Sequence, residues 1–262
     1  MNWLEAILIG ILQGLTEFLP ISSSGHIALV GAFLDIQSPS EYFLFTLVVH
    51  GATVLSTIVI FWPDLVSLFC GMIKRDRTRC AYIGKLLVSM LPVGVVGFLF
   101  KEEVTSLYAD NLVFVGCMLI VTAIFLFIAH RSKEQQGEVT YKRAFLMGLA
   151  QAAAVLPGIS RSGATIATGL VSKGGRHNVA RFSFLMVLLP IMGANLLDII
   201  DLDESAMSSI SITTLVLGFV AAFLSGLFAC KWMIKLVQQG KLIYFSIYCL
   251  IVGGFIIMIN VQ

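Results

Sequence analysis

AILIGILQGLTEFLPISSSGHIALVG, residues 6–31, and AFLMGLAQAAAVLPGISRSGATIATG, residues 144–169, are two versions of one pattern. A shift of 138 residues aligns them without a gap, and nine of the 26 positions are identical. The identities are Ala6/Ala144, Leu8/Leu146, Gly10/Gly148, Gln13/Gln151, Ile21/Ile159, Ser22/Ser160, Ser24/Ser162, Gly25/Gly163 and Gly31/Gly169. Apolar runs match easily by chance, but a glutamine, a Ser-x-Ser-Gly turn and two further glycines do not. Pro20 and Pro157 fall one place out of register. In each copy a helix-like run ends near the proline, and a Ser/Gly-rich turn opens a second apolar run.

The rest of the chain says where these segments sit. Of 262 residues, 58% are hydrophobic and 12% charged, against about a quarter charged in soluble domains. Mean hydropathy is +0.95. Too few polar residues are present to cover a water-facing surface, so the chain belongs in a bilayer. Six stretches, 43–62, 82–100, 112–129, 182–200, 210–230 and 242–259, approach the ~20 residues a spanning helix needs. The N-terminus lacks a basic stretch, and Glu5 and Glu17 interrupt its apolar run, so no cleavable signal peptide is expected. A net charge of +2 offers no field for nucleic acid. The five cysteines are scattered and read as small buried hydrophobes.

The loop charges sort by sign. Lys74, Arg75, Arg77 and Arg79 form one basic group, and basic residues recur at 131–143, 173–181 and 231–241. Acidic residues mark the other loops: Asp35 and Glu41, then Glu102, Glu103 and Asp110, then Asp201, Asp203 and Glu204. Basic loops stay in the cytoplasm, which gives a consistent alternation through all six spans. Segments 3–34 and 144–171 each begin and end on one face. They read as re-entrant hairpins, a shape allowed where the backbone is buried in protein or lines a cavity. The expected fold is therefore an all-α polytopic membrane domain. Residues 1–130 form a first repeat and 144–262 a second, each a hairpin plus three spans. Three spans invert the second copy, which predicts a site between the hairpins near the midplane.

The chemistry-bearing residues cluster in these hairpins. Serines at the start of a helix cap it, and its N–H groups and dipole favour an anion. Glu17 and Arg161 are charges in apolar sequence, each costing about 2.5–3.5 kcal/mol at the bilayer centre if left alone. They need each other or a substrate anion. The plain alternative is an ion pair joining the repeats, but Arg161 sits in a serine turn, and its fork suits phosphate. His26 is the natural titrating group, with Glu17 to orient the ring or to help bind a divalent cation. Ser23 reads either as a nucleophile or as a hydrogen-bond donor to the phosphate. Ser22, Ser24, Gly25, Ser160, Ser162 and Gly163 are the turn residues placed at the anion. Gln13 lies one turn before Glu17 and shares its face. His50, mid-span, reads as interhelical glue or as support for the site. Asn195 and Asp198 read as interfacial contacts, and His130 and His177 as solvated.

Gln13-Gly-Leu-Thr-Glu17-Phe-Leu-Pro-Ile-Ser-Ser-Ser-Gly-His26 and Pro157-Gly-Ile-Ser-Arg161-Ser-Gly-Ala-Thr resemble the two signatures of the bacitracin-resistance type undecaprenyl-diphosphate phosphatases. The resemblance extends over the whole chain in length and span layout. It implies hydrolysis of undecaprenyl diphosphate to undecaprenyl phosphate and inorganic phosphate, recycling the carrier lipid of cell-wall synthesis. It places the catalytic set on Glu17, Ser23, His26 and Arg161, in the bacterial plasma membrane, with a site open to the outer face. It also implies stimulation by a divalent cation, Mg²⁺ or Ca²⁺, with Glu17 as ligand; no organic cofactor is expected. Many members carry Glu where this chain has Gln13, and an amide is a weaker metal ligand. The nucleophile stays open between His26 and a Ser23 activated by His26, and a homodimer is one arrangement left open. The rival reading from the repeat layout is a flippase for polyprenyl-phosphate lipid.

Overall fold

The computed structural model describes residues 1–33, 39–100, 111–133, 135–200 and 210–260. Within them the chain forms eleven α-helices and no strand: α1 (Trp3–Phe18), α2 (Ser23–Phe33), α3 (Pro39–Ile60), α4 (Trp62–Ile73), α5 (Arg77–Leu99), α6 (Leu112–Arg131), α7 (Tyr141–Ala153), α8 (Arg161–Val171), α9 (Arg176–Ile200), α10 (Ile212–Gln238) and α11 (Ile243–Asn260). Six of these, α3, α5, α6, α9, α10 and α11, are long and apolar enough to cross a membrane. Apolar side chains such as Phe98, Phe228 and Ile251 stand exposed on them, as lipid-facing residues must. The chain is a multi-pass membrane protein.

The spans run further than charge alone suggests. α5 starts at Arg77, where an expected start at 82 stops short, because Asp76 caps the N–H groups of Thr78 and Arg79. α9 starts at Arg176 rather than 182, and α10 continues to Gln238 rather than 230. Long basic side chains reach from a helix end to the interface, so a helix need not stop at its first charge. The helix α4 is absent from the sequence reading. A break at Phe61 and Pro63 in its first turn start it, as proline favours. Its Trp62, Phe69 and Ile73 are exposed, and its Asp64 pairs with Arg181 of α9. Most of the expected acidic loop residues, Asp35, Glu102, Glu103, Asp110, Asp201, Asp203 and Glu204, lie outside the described residues.

The two matched segments each fold as helix, break, helix. α1 ends at an extended Leu19, and α2 begins at Ser23. α7 ends at Ala153, and α8 begins at Arg161 with Ser160 as its cap. Their packing is reciprocal. α1 lies along α10, and α7 lies along α5. α10 also packs on α3, α9 on both α3 and α5, and α6 on α11. The matched glycines make the close approaches. A Cβ on Gly10 would lie 2.5 Å from the Gly218 carbonyl oxygen, and one on Gly148 would lie 2.3 Å from that of Ser89. The two breaks also touch. Gly25 faces Gly158, and Gly163 faces Pro20. Both contacts link the same pair of aligned positions in opposite directions.

This packing yields a test. Gly148→Ala drives a methyl into the backbone of α5 and is expected to cost about 1–3 kcal/mol, as overpacking does. Gly94→Ala meets nothing within 4 Å and is expected to leave stability unchanged. Thermal unfolding of both variants in detergent checks this.

Candidate active site

The site is built around one carboxylate. Glu17 ends α1 beside the break, with its side chain only 10% exposed. Gln13, one turn earlier and fully buried, donates from Nε2 to Glu17 Oε2 at 3.1 Å. Ser23, first residue of α2, donates from Oγ to the same oxygen at 2.7 Å. The other oxygen, Oε1, faces Arg161 Nη1 at 3.4 Å. His50 of α3 brings Nε2 to 3.8 Å from Oε2. Four helices thus meet at Glu17: α1, α2, α3 and α8.

Local sequence explains the placement. The break after α1 turns the chain at Pro20, and Ser22 takes a left-handed φ of 69°. Few non-glycine residues adopt that conformation, and strained backbone of this kind gathers at functional sites. It aims Ser23 back at the carboxylate six residues upstream. In the second copy, Ser160 accepts from Gly163 N at 3.1 Å, and Arg161 is the first residue of α8. Ser160 itself is fixed by its N–H to Thr122 Oγ1 at 3.0 Å. Ser23 and Arg161 occupy aligned positions of the two segments.

The group opens into a cavity of about 770 Å³. Glu17, Ser22, Ser23, Ser24, Ser160 and Arg161 are among its polar lining. Phe43, Leu47, Val93, Pro190 and Ile191 give it apolar walls. Tyr42, Asn195 and Asp198 line it as well, so the last two are cavity residues rather than mere interfacial contacts. A second, much smaller chamber of about 30 Å³ lies against Glu17, Arg161 and Ser162, among the hydroxyls of Thr53, Thr57, Thr165 and Ser183.

Not every expected residue joins. His26 is buried, and both its ring nitrogens are engaged. Nδ1 donates to the Ser22 carbonyl at 2.8 Å; Nε2 accepts from the Tyr248 hydroxyl at 2.8 Å. Its ring stacks on Tyr248 of α11 and does not line the cavity. Glu17 therefore holds Ser23 rather than orienting His26. Pattern reading missed this because His26 is one turn from Ser22, and the ring turns back onto that carbonyl. Gly25 and Gly163 also stand back: their N–H groups go to Ser22 and Ser160 Oγ. The sequence also underrated His50. It lies far from the motif, and only the packing of α3 against α1 reveals it.

The donor set bears on the implied divalent cation. Both oxygens of Glu17 already face Ser23, Gln13 and Arg161, and Gln13 is neutral. Among the described residues, no three His, Cys, Asp or Glu side chains gather as metal ligands do. Among the described residues these groups do not form a cation site held by the protein alone.

The whole sequence agrees with this geometry. Residues 6–255 match the family model of the bacitracin resistance protein BacA. The chain belongs to the BacA family. It is 48% identical over 264 residues to a protein of Bacteroides fragilis (strain YCH46), covering 99% of each. It is 49% identical over 259 residues to one of Bacteroides thetaiotaomicron, covering 97% of each. A protein of the more distant Methanosphaera stadtmanae is 34% identical, covering 100% of this chain and 99% of its own. All three bear the name undecaprenyl-diphosphatase. The first motif of this BacA-family chain thus supplies Glu17 and Ser23, and the second supplies Arg161.

Pairing across the two segments is testable. Glu17→Ala strands Arg161, and Arg161→Ala strands Glu17. Removing one partner of a buried pair is strongly destabilising. The double variant is expected to lose less than the two singles together, with a coupling of about 1–3 kcal/mol. Denaturation in mixed micelles of all four proteins measures it.

Proposed function

We propose that this chain hydrolyses undecaprenyl diphosphate to undecaprenyl phosphate and inorganic phosphate, recycling the lipid carrier for cell-wall synthesis. The observation that carries the reading is Ser23 Oγ held 2.7 Å from Glu17 Oε2, with Arg161 on the other carboxylate oxygen. A nucleophile within hydrogen-bond reach of a base, with that base held by a third group, is the arrangement of an activated hydroxyl. Here Gln13 and Arg161 hold the base. The names of the relatives supply the substrate, and the cavity accommodates its chemistry: polar lining for the diphosphate and apolar walls for the prenyl chain.

Ser23 Oγ attacks the terminal phosphorus, and its proton passes to Glu17 Oε2. The bond from the terminal phosphorus to the bridging oxygen breaks, and its electron pair leaves with undecaprenyl phosphate. That phosphate departs as a dianion and needs no proton. Arg161 binds the transferring phosphoryl oxygens with a fixed charge, the usual source of rate enhancement in phosphoryl transfer. Water then releases phosphate from Ser23. The prenyl chain lies along Phe43 and Leu47 of α3, Val93 of α5, and Pro190 and Ile191 of α9, and leaves between these helices into lipid.

The same reading makes segments 3–34 and 144–171 re-entrant hairpins of an inverted repeat. Its support is the reciprocal packing: α1 on α10 against α7 on α5, and Gly25 on Gly158 against Gly163 on Pro20. A hydrogen bond ties each aligned carbonyl to the last span of the other repeat: Thr122 Oγ1 of α6 donates to Gly158 O, and Cys249 Sγ of α11 to Pro20 O. The chain sits in the bacterial plasma membrane, and its cavity opens outward. Tyr42 and Asp198 lie at the ends of α3 and α9 nearest the acidic loops, the side that the charge bias assigns to the exterior.

Two measurements test the reading. With purified protein in detergent, Ser23→Ala is expected to cut phosphate release from undecaprenyl diphosphate by at least about 10³-fold; full activity in the variant overturns the nucleophile. Val93→Trp is expected to raise KM severalfold for undecaprenyl diphosphate. Unchanged KM in the variant overturns the assignment of this wall to the prenyl chain.

A further inference from the structure

Hydrolysis through a phosphoserine leaves one proton without an acceptor. After the first step Glu17 carries the proton of Ser23. In the second step the Ser23 oxygen is the leaving group and takes that proton back. The attacking water must give its own proton to another base, and Glu17 cannot serve both ends of the displacement at once.

The cavity restricts the choice. Its titratable and charged lining residues are Glu17 of α1, Tyr42 and His50 of α3, Arg161 of α8 and Asp198 of α9. Tyr42 lies eight residues before His50, about 12 Å along the helix, and its hydroxyl donates to the Ile27 carbonyl at 2.7 Å. Asp198 lies seven residues, about 10 Å, beyond Ile191, which reaches the chamber beside Glu17. α10, on the other flank of α3, adds no lining residue. His26 has its Nε2 filled by Tyr248.

His50 remains, and its tautomer is fixed. Nδ1 lies 2.9 Å from the Thr46 carbonyl. A carbonyl only accepts, so Nδ1 carries the hydrogen, and in the neutral ring Nε2 presents a lone pair. His50 lines the cavity, and its Nε2 lies 3.8 Å from the carboxylate oxygen that holds Ser23. The gap exceeds hydrogen-bond reach, so Nε2 is open to a reacting water beside it.

We propose that His50 Nε2 is the general base that takes the proton from water when phosphoserine 23 is hydrolysed. The proposal rests on the Ser23 reading above. Water oxygen bonds to phosphorus, and one water proton moves to Nε2. The phosphorus–Oγ bond breaks, and Oγ takes the proton from Glu17. The products are the Ser23 hydroxyl, the Glu17 carboxylate, hydrogen phosphate and a His50 imidazolium. The imidazolium returns its proton to the aqueous mouth of the cavity.

The test is a rapid-mixing experiment with undecaprenyl diphosphate labelled in its terminal phosphate. His50→Gln is expected to release one undecaprenyl phosphate per protein at the wild-type rate and to retain the label on Ser23. Steady-state phosphate release falls about 10²-fold or more, the usual contribution of a general base. Added imidazole restores release in His50→Ala, which also reads the step if His50→Gln does not fold. Wild-type turnover in His50→Gln, loss of its first turnover with the fold intact, or no imidazole rescue overturns the proposal. Ser23→Ala separates the two readings. Label accumulating on another residue in Ser23→Ala/His50→Gln keeps His50 as the base and moves the nucleophile.

Discussion

The Glu17–Arg161 pair is the constraint on which this architecture turns. Each charge is costly alone in an apolar layer, and neither is supplied by the same part of the chain. Glu17 comes from the first matched segment and Arg161 from the second, 144 residues apart. Pairing them requires α1 and α8 to bring their broken ends together. Everything near the pair serves that meeting. Glycines at 10 and 148 let α1 and α7 sink into α10 and α5. The breaks at Pro20 and Pro157 give up helical backbone where serine hydroxyls and neighbouring spans take over its hydrogen bonds. Such broken backbone is tolerated at membrane depth only under cover of protein or at a cavity wall. Both conditions hold here.

Much of this was legible in the sequence because it rests on residue type. Six apolar stretches announce six spanning helices, and the Ser-x-Ser-Gly turns announce two breaks. A lone glutamate and a lone arginine in apolar surroundings announce each other. What stayed hidden depends on direction rather than type. The sequence places His26 three residues after Ser23, which suggests a shared task. Yet at the start of a helix a histidine one turn past Ser22 can fold back to its carbonyl, and Tyr248, 222 residues away, completes its partners. His50 is the converse case. Nothing near it in sequence marks it, and its place beside Glu17 follows from which face of α3 meets α1. Helix ends were blurred for a third reason: basic residues at an interface belong to the helix as often as to the loop.

The site also shows how a reaction on a large lipid can be confined to a few polar groups. The carboxylate takes its hydrogen bonds from a hydroxyl and an amide, and stands against a guanidinium. The three come from different helices, α2, α1 and α8, so none can be moved without shifting a broken segment. The apolar walls ask little beyond width. This division separates recognition of the phosphate, which is geometric, from accommodation of the chain, which is not.

The correspondence of Ser23 with Arg161 has an evolutionary consequence. On the proposed two-fold reading these are the same structural position in two copies. A symmetric pair of identical subunits would place the same residue at both, two serines or two arginines, and would hold either no cation or no nucleophile. Joining the copies in one chain freed them to diverge. The same holds for Glu17 and its counterpart Val155. On that reading the polar centre is younger than the frame that carries it: duplication would supply a symmetric frame, and divergence at 17, 23, 155 and 161 would make its centre asymmetric.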